Sequence, residues 1–316
     1  MNLIKYRYWY FLISLLIILP GLFFLILHWV QNPQEGPLKL GIDFTGGALL
    51  EIRFEGARPP IQVVQEVYNA LSSEQEEIAS PLVQPLGEDA YAIRSKTMSD
   101  ETKARIVSEL EARSGTKVTV LNFTSVSPAI GQEVTRAAII AVIMAGLAIM
   151  LYIWYAFRQV EHAFRYGTAA ILALIHDVLV VLGVEAMFGY FLGWQADALF
   201  LTATLTVIGF SVHDSIVVFD RVRENSRIYR RMDYEALVNH SILQTLDRSI
   251  NTQLTVMFTL LALVLFGGES IRHFVTILLI GIFSGTYSSI FNAAPILVVW
   301  EKREWRNWFR KGQATS

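Results

Sequence analysis

The chain contains no cysteine. That excludes disulfides, thiol nucleophiles and Cys-ligated metal centres. Charge is sparse: 17% of the 316 residues are charged, with 26 Lys and Arg against 28 Asp and Glu, a net −2. No excess of one sign points to a particular partner, and nucleic acid is not expected. Proline is also scarce, with nine in all.

What is present is apolar length. Hydrophobic residues make up 53% of the chain, and the mean hydropathy is +0.42. Several runs reach the roughly 20 apolar residues needed to cross a bilayer. They predict six spans: Tyr8–Val30, Val134–Phe157, Tyr166–Phe188, Ala198–Phe219, Ile250–Phe266 and Phe274–Trp300. The first run is longer than a signal-peptide core of about 7–15 residues, and no small-x-small cleavage site follows His28. An uncleaved first helix is therefore expected.

Lys and Arg set the expected orientation. Lys5 and Arg7 precede the first span, and Arg158 and Arg165 separate the second and third. Arg221, Arg223, Arg227, Arg230 and Arg231 follow the fourth. Lys302, Arg303, Arg306, Arg310 and Lys311 follow the sixth. The opposite loop, Gly189–Asp197, has no basic residue. Both termini are expected in the cytoplasm, which divides the chain into 1–30 (N-terminus and first span), 31–132 (external domain) and 133–316 (five spans and a cytoplasmic tail).

The external segment reads as β-α-β-β-α-β. Strands are predicted at Ala48–Phe54, Pro81–Leu86, Tyr91–Lys96 and Lys117–Ser125. Helices are predicted at Ile61–Leu71 and from the Ser99 cap to Arg113, with Gly115 as the stop. This is the order of a small α+β ferredoxin-like domain. It holds no nucleophile, metal cluster or phosphate loop, so a binding or lever role is favoured over an enzyme, and no cofactor is expected.

Ionisable residues at membrane depth are costly and are functional candidates by default. They are His176, Asp177 and Glu185 in the third span, His213 and Asp214 in the fourth, and Arg248 at the entry to the fifth. Asp214 lies about 7.5 Å inside the end of its span, at 1.5 Å per residue. Arg248 is expected to reach it, forming either a proton switch or a static ion pair. For Asp177, restraint by hydroxyls of a neighbouring helix and a relay role with His176 are equally open; His213 shares that ambiguity. Glu185 is expected to reach the membrane interface. Gly281 and Gly285 form a GxxxG that marks close helix packing. Thr202, Thr204, Thr206, Ser211, Ser288, Ser289 and Asn292 either pack or line a hydrated path. Trp9, Trp29, Trp154, Trp194 and Trp300 sit near span ends as an interfacial belt.

Five stretches resemble the motifs of the SecD/SecF protein-export membrane proteins: "LGIDFTGGALLEIRF" from Leu40, "ALIHDVLVVLG" from Ala173, "VIGFSVHDSIVVFDRVREN" from Val207, "TLDRSINTQLT" from Thr245 and "GTYSSIFNAAPILVVWE" from Gly285. The resemblance covers nearly the whole chain, and the external domain has the small size of one branch of the family. It implies a polytopic α-helical protein of the resistance-nodulation-division superfamily in the bacterial inner membrane, coupling the proton-motive force to late steps of export. Implied partners are a SecD-like subunit, the SecYEG translocon with SecA as cytoplasmic motor, unfolded secreted proteins, protons and the lipid bilayer. The family's functional aspartate matches Asp214 and its functional arginine Arg248. Gly41, Asp43, Gly46 and Gly47 match the first motif. His213 stands where the family usually has Asn, and Gln253 where a small polar residue is common. Two competing readings are a proton-driven small-molecule exporter of the same superfamily and a membrane scaffold without ion flux.

Overall fold

The computed structural model describes residues 2–72, 77–158 and 163–304. Arg306, Arg310 and Lys311, used above for orientation, lie outside the described residues. Helix α1 spans Arg7–Gln31, and the short helix α2, Ile42–Thr45, precedes strand β1, Gly47–Phe54. Then come α3 (Ile61–Leu71), β2 (Leu82–Leu86), β3 (Ala90–Ser95), α4 (Asp100–Ser114) and β4 (Val118–Val126). The remaining helices are α5 (Pro128–Ala156), α6 (Ala163–Phe191), α7 (Ala198–Ile228), α8 (Tyr234–Phe266) and α9 (Glu269–Ser288). A π turn at Ser289–Ala293 leads into α10, Ala294–Glu301. Among the described residues, six helical stretches are long and apolar enough to cross a membrane, with α9, the π turn and α10 forming one of them.

The chain divides into two compact units. One comprises Leu40–Ile140 with Gln195–Ala198, and the other the rest. The sheet of the smaller unit has the order β2-β3-β1-β4, with every pair antiparallel. Strand β1 alternates as a half-buried strand must: Ala48, Leu50, Ile52 and Phe54 are buried and pack with Val64, Val67 and Tyr68 of α3 and Ile106 and Leu110 of α4. Each of the buried Leu, Ile, Val and Phe side chains contributes roughly 1.5–3 kcal/mol. Ser99 Oγ accepts from Thr102 N at 3.2 Å to open α4, and Gly115, at φ +67°, closes it. The ferredoxin-like order read from the sequence is present.

In the larger unit, α6, α7 and the α9–α10 stretch are central, with 44–56% of their apolar windows buried; for α1, α5 and α8 the share is 6–17%. Alanines make the centre tight: Ala169, Ala170 and Ala173 of α6 meet Ile208 and Val212 of α7 and Ala293 and Ala294 at the π turn. Helices α1 and α6 cross at two glycines. A Cβ on Gly183 falls 2.6 Å from Gly21 Cα, so neither position accepts a side chain without backbone movement.

Helix α8 differs from expectation. The apolar run begins at Ile250, but the helix begins at Tyr234, capped by Asp233. Its polar first half is held by α7: Asn225 Nδ2 donates to Ser241 Oγ at 2.8 Å, and Arg221 Nε to Gln244 Oε1 at 2.7 Å. Arg248 is therefore mid-helix rather than at a helix entry.

Candidate functional site

The centre of the larger unit is a polar node around Asp177, which is fully enclosed. Both of its oxygens are met by donors from other helices. Oδ2 accepts from Ser211 Oγ of α7 at 2.5 Å and from Ser288 Oγ of α9 at 2.6 Å. Oδ1 accepts from Ser284 Oγ of α9 at 2.8 Å and lies 3.0 Å from His176 Nδ1. The three hydroxyl bonds are the restraint that one reading of Asp177 expects, and the His176 contact is the one the relay reading needs. Its neighbour takes part as well: His176 bends back to Asp177 across one residue, while its Nε2 is buried without a hydrogen-bond partner.

The node is possible because of what surrounds it. A Cβ on Gly285 would stand 3.1 Å from Ser211 Cβ, and one on Gly281 would collide with Val207. Helix α9 thus approaches α7 closely enough for Ser284 and Ser288 to reach across. One turn on, the helix widens into the π turn, a form that recurs at functional sites. There Ser289 Oγ donates to the Ser211 carbonyl at 3.0 Å, and Ser215 Oγ donates to Ser289 Oγ at 3.1 Å. Asn292 exchanges hydrogen bonds with Ser14 of α1. Ser211, Ser284, Ser288 and Ser289 therefore belong to one network, Gly281 and Gly285 permit the approach it needs, and Asn292 with Ser14 forms a separate pair.

Asp214 lies one turn along α7 from Ser211 and is 5% exposed. Its Oδ2 accepts from Gln253 Nε2 of α8 at 2.5 Å. Gln253 Oε1 is buried with no partner. The expected contact with Arg248 is not formed. The pairs Asn225–Ser241, Arg221–Gln244 and Asp214–Gln253 fix the antiparallel register of α7 and α8. That register sets Arg248 level with about Val218, four residues or about 6 Å from Asp214. Arg248 is exposed and lines a cavity of about 630 Å³ with Asp220, Arg221, Arg223, Glu224 and Gln244. Next to Asp214, His213 points about 100° away around α7 and is exposed, beside Thr206, Gly209 and Phe210 on an open groove of about 500 Å³.

Glu185, six residues from the end of α6, is turned into the helix bundle rather than to solvent. It is 2% exposed, and its Oε2 sits 2.7 Å from His273 Nε2 of α9. Trp194 is more than a belt residue, since its indole lies 4.5 Å from the His273 ring.

In the smaller unit the first motif is a backbone junction. Gly46 and Gly47 take φ +76° and +123°, in the region that favours glycine. A Cβ on Gly46 would lie 2.7 Å from Pro128 Cα at the start of α5. Gly41 N donates to the Ala196 carbonyl at 2.7 Å. Asp43 Oδ2 accepts from the N–H of Ala198 at 2.9 Å. Among the described residues, no three His, Asp or Glu side chains are grouped to hold a metal.

Gln253 as Asp214's partner, the serines as a set, His273 and the Gly21–Gly183 crossing are not among the sequence-based expectations. Only the serines carried a signal: Ser284 and Ser288 are four residues apart, on one helix face.

The fold and site thus define a polytopic helical membrane protein with a small sheet domain and a buried carboxylate network. Residues 106–303 match the family described as "Protein export membrane protein SecD/SecF, C-terminal", and residues 36–57 match the SecD/SecF GG motif. The chain belongs to the SecD/SecF family. It is 51% identical over 314 residues to the protein translocase subunit SecF of Anaerolinea thermophila, covering 99% of this chain and 98% of that one. It is 46% identical over 323 residues to SecF of Thermobaculum terrenum, covering 98% and 97%. The crystal structure of SecDF from Thermus thermophilus superposes with a TM-score of 0.77 at 32% identity, covering 96% of this chain and 39% of that longer one.

Proposed function

We propose that this chain is a protein translocase subunit that couples proton movement down the proton-motive force to late steps of export, with Asp214 as the titrating group. The observation that supports this most is the setting of Asp214: a nearly enclosed carboxylate whose single hydrogen bond comes from a neutral amide. A carboxylate so placed exchanges protons at modest structural cost, whereas a fully satisfied one such as Asp177 is anchored. Arg248 lines a polar cavity about 6 Å away along the helix. Its long side chain supplies a charge that favours ionised Asp214 when it swings toward it and releases that preference when it swings away. The Asp177 node and the π turn hold α6, α7 and α9 as one block against which α8 moves.

In this reading the protein makes and breaks no covalent bonds. It sits in the bacterial inner membrane with both termini cytoplasmic, and segment 31–132 faces outward to meet unfolded secreted chains. A SecD-like subunit is the direct partner, since a relative named SecDF aligns with this chain over 35% of its own length. SecYEG and SecA complete the machine. The test is proton-gradient-driven export in proteoliposomes holding the chain, a SecD-like partner and the translocon. Asp214→Asn is expected to abolish the gradient-dependent part of export while complex assembly persists. Unchanged export would favour a scaffold.

A further inference from the structure

We infer that Glu185 and His273 form a second proton-handling site, which loads protons from the outer side before they reach the Asp177–Asp214 region; the inference rests on the proton-coupled reading above. Glu185, near the C-terminal end of α6, is 2% exposed, and His273, in the first turns of α9, keeps 18% of its side chain exposed. The imidazole thus stands between solvent and a buried carboxylate. Its Nε2 is 2.7 Å from Glu185 Oε2, while Glu185 Oε1 is buried with no partner. A buried acceptor left open is costly, and here it belongs to the carboxylate of a hydrogen-bonded acid–imidazole couple.

The proton balance is simple. A solvent proton binds at Nδ1 of the neutral ring, the Nε2 proton passes to Glu185 Oε2, and a neutral imidazole and a neutral carboxylic acid remain. Return of the ring to its Nε2–H tautomer readies it for the next proton.

The surroundings suit a relay better than a static ion pair. Phe200 of α7 lies parallel to the His273 ring, at 6.5 Å and 15°, and Trp194 covers its other neighbourhood at 4.5 Å. Neither titrates. On α9, Arg272 adjoins His273 and is engaged in an interaction of its own. On α1, the titratable residue toward the same end is His28, whose Nδ1 is 3.0 Å from the Gly36 carbonyl. From Ser249 to its end, α8 carries no ionisable side chain.

Between this couple and the Asp177 node lies a thin apolar layer. Glu185 and Asp177 are eight residues apart on α6, about 12 Å. Val181, Val207 and Ile277 fill the level between them, all buried, and Gly281 is what lets Val207 close on α9. Rotation of the Val181, Val207 and Ile277 side chains opens that layer to water while the Asp177 hydrogen bonds keep α6, α7 and α9 together. With the Glu185–His273 couple on one side of this seam and Asp214, one turn of α7 past Ser211 of the anchored Asp177 node, on the other, the two proton-handling sites bracket a closable path.

The experiment uses the full chain in lipid nanodiscs. Trp194 fluorescence is titrated between about pH 5 and 8, the range in which histidine ordinarily changes charge, with Trp194→Phe assigning the signal. The wild type is expected to show a transition that His273→Gln removes and Glu185→Gln displaces. In the reconstituted system, His273→Gln is expected to change the external-pH profile of gradient-driven export. Coincident titration curves for wild type and both variants would overturn the proposal. So would an unaltered export profile in His273→Gln when Asp214→Asn abolishes gradient-driven export, an outcome that leaves the coupling reading standing. If Asp214→Asn leaves export unchanged, the coupling reading has failed and the loading role falls with it. Should His273→Gln insert poorly, Glu185→Gln carries both arms.

Discussion

Asp214 Oδ2 takes a 2.5 Å hydrogen bond from Gln253 Nε2 on the facing helix, and this amide, rather than a cation, is what meets the carboxylate. Gln253→Leu removes the donor and leaves a buried oxygen unpaired, at about 1–3 kcal/mol. The expected outcome is lower thermal stability in nanodiscs together with altered export, while Gln253→Asn, which keeps an amide, recovers part of both. Equal melting of the Leu variant and the wild type would show that the contact contributes nothing.

The six spans and the β-α-β-β-α-β order were legible because each follows from a local period: hydropathy for the spans, alternation for β1, caps at Ser99 and Gly115 for α4. The Asp177 node was not. Its donors come from Ser211, Ser284 and Ser288, and only the crossing of α6, α7 and α9 brings them together. The position of Arg248 was misjudged for a related reason. An apolar run beginning at Ile250 says where lipid contact starts, not where a helix starts, and the depth of Arg248 depends on the register between α7 and α8. Glu185 looked like an interfacial acid because nothing along the chain announces His273 as its partner.

The Arg248 geometry changes what a double-mutant cycle should give. Because Asp214 is bonded to Gln253 and not to Arg248, Asp214→Asn and Arg248→Met are expected to affect membrane yield with little coupling, about 0.5 kcal/mol or less. Their effects on gradient-driven export are not additive, because either change alone stops the cycle. Strong coupling in yield would place the pair in direct contact in the resting protein.

Asp177 is expected to be structural in the first instance. Ser211→Ala, Ser284→Ala and Ser288→Ala each remove one hydrogen bond to a carboxylate and should each cost about 1.5–3 kcal/mol. Asp177→Ala strands three hydroxyls at once and should cost more than any one of them. Thermal denaturation followed by size-exclusion recovery measures the series. A neutral Asp177→Ala would remove the node from the account.

The helix crossing gives a steric prediction. Gly183→Ala places a methyl against the Gly21 backbone and should reduce folded yield severalfold, whereas Gly209→Ala, with nothing within 4 Å of its new methyl, should not. Equal yields for the two would contradict the close crossing.

In the sheet domain, the Tyr68 hydroxyl is buried without a partner, and burial pushes its phenol well above the ordinary range. The folded state therefore holds this proton more tightly than the unfolded one. Stability from this residue is full below about pH 10 and is lost as pH climbs above that toward the folded-state value. A soluble segment 40–127, which carries the whole apolar core of the domain, should melt cooperatively. Tyr68→Phe should raise its melting temperature at neutral pH and flatten the alkaline loss. An alkaline limb that is the same in both proteins would exclude Tyr68 as its source.

The central claim is that Asp214 changes protonation during work. Infrared difference spectroscopy on the reconstituted complex, triggered by acidifying the outer side, reads this directly. A protonated-carboxyl band is expected to appear with the pH jump, to shift when Gln253 is replaced, and to vanish in Asp214→Asn. A band that persists unchanged in Asp214→Asn would assign the proton to another group and contradict the account.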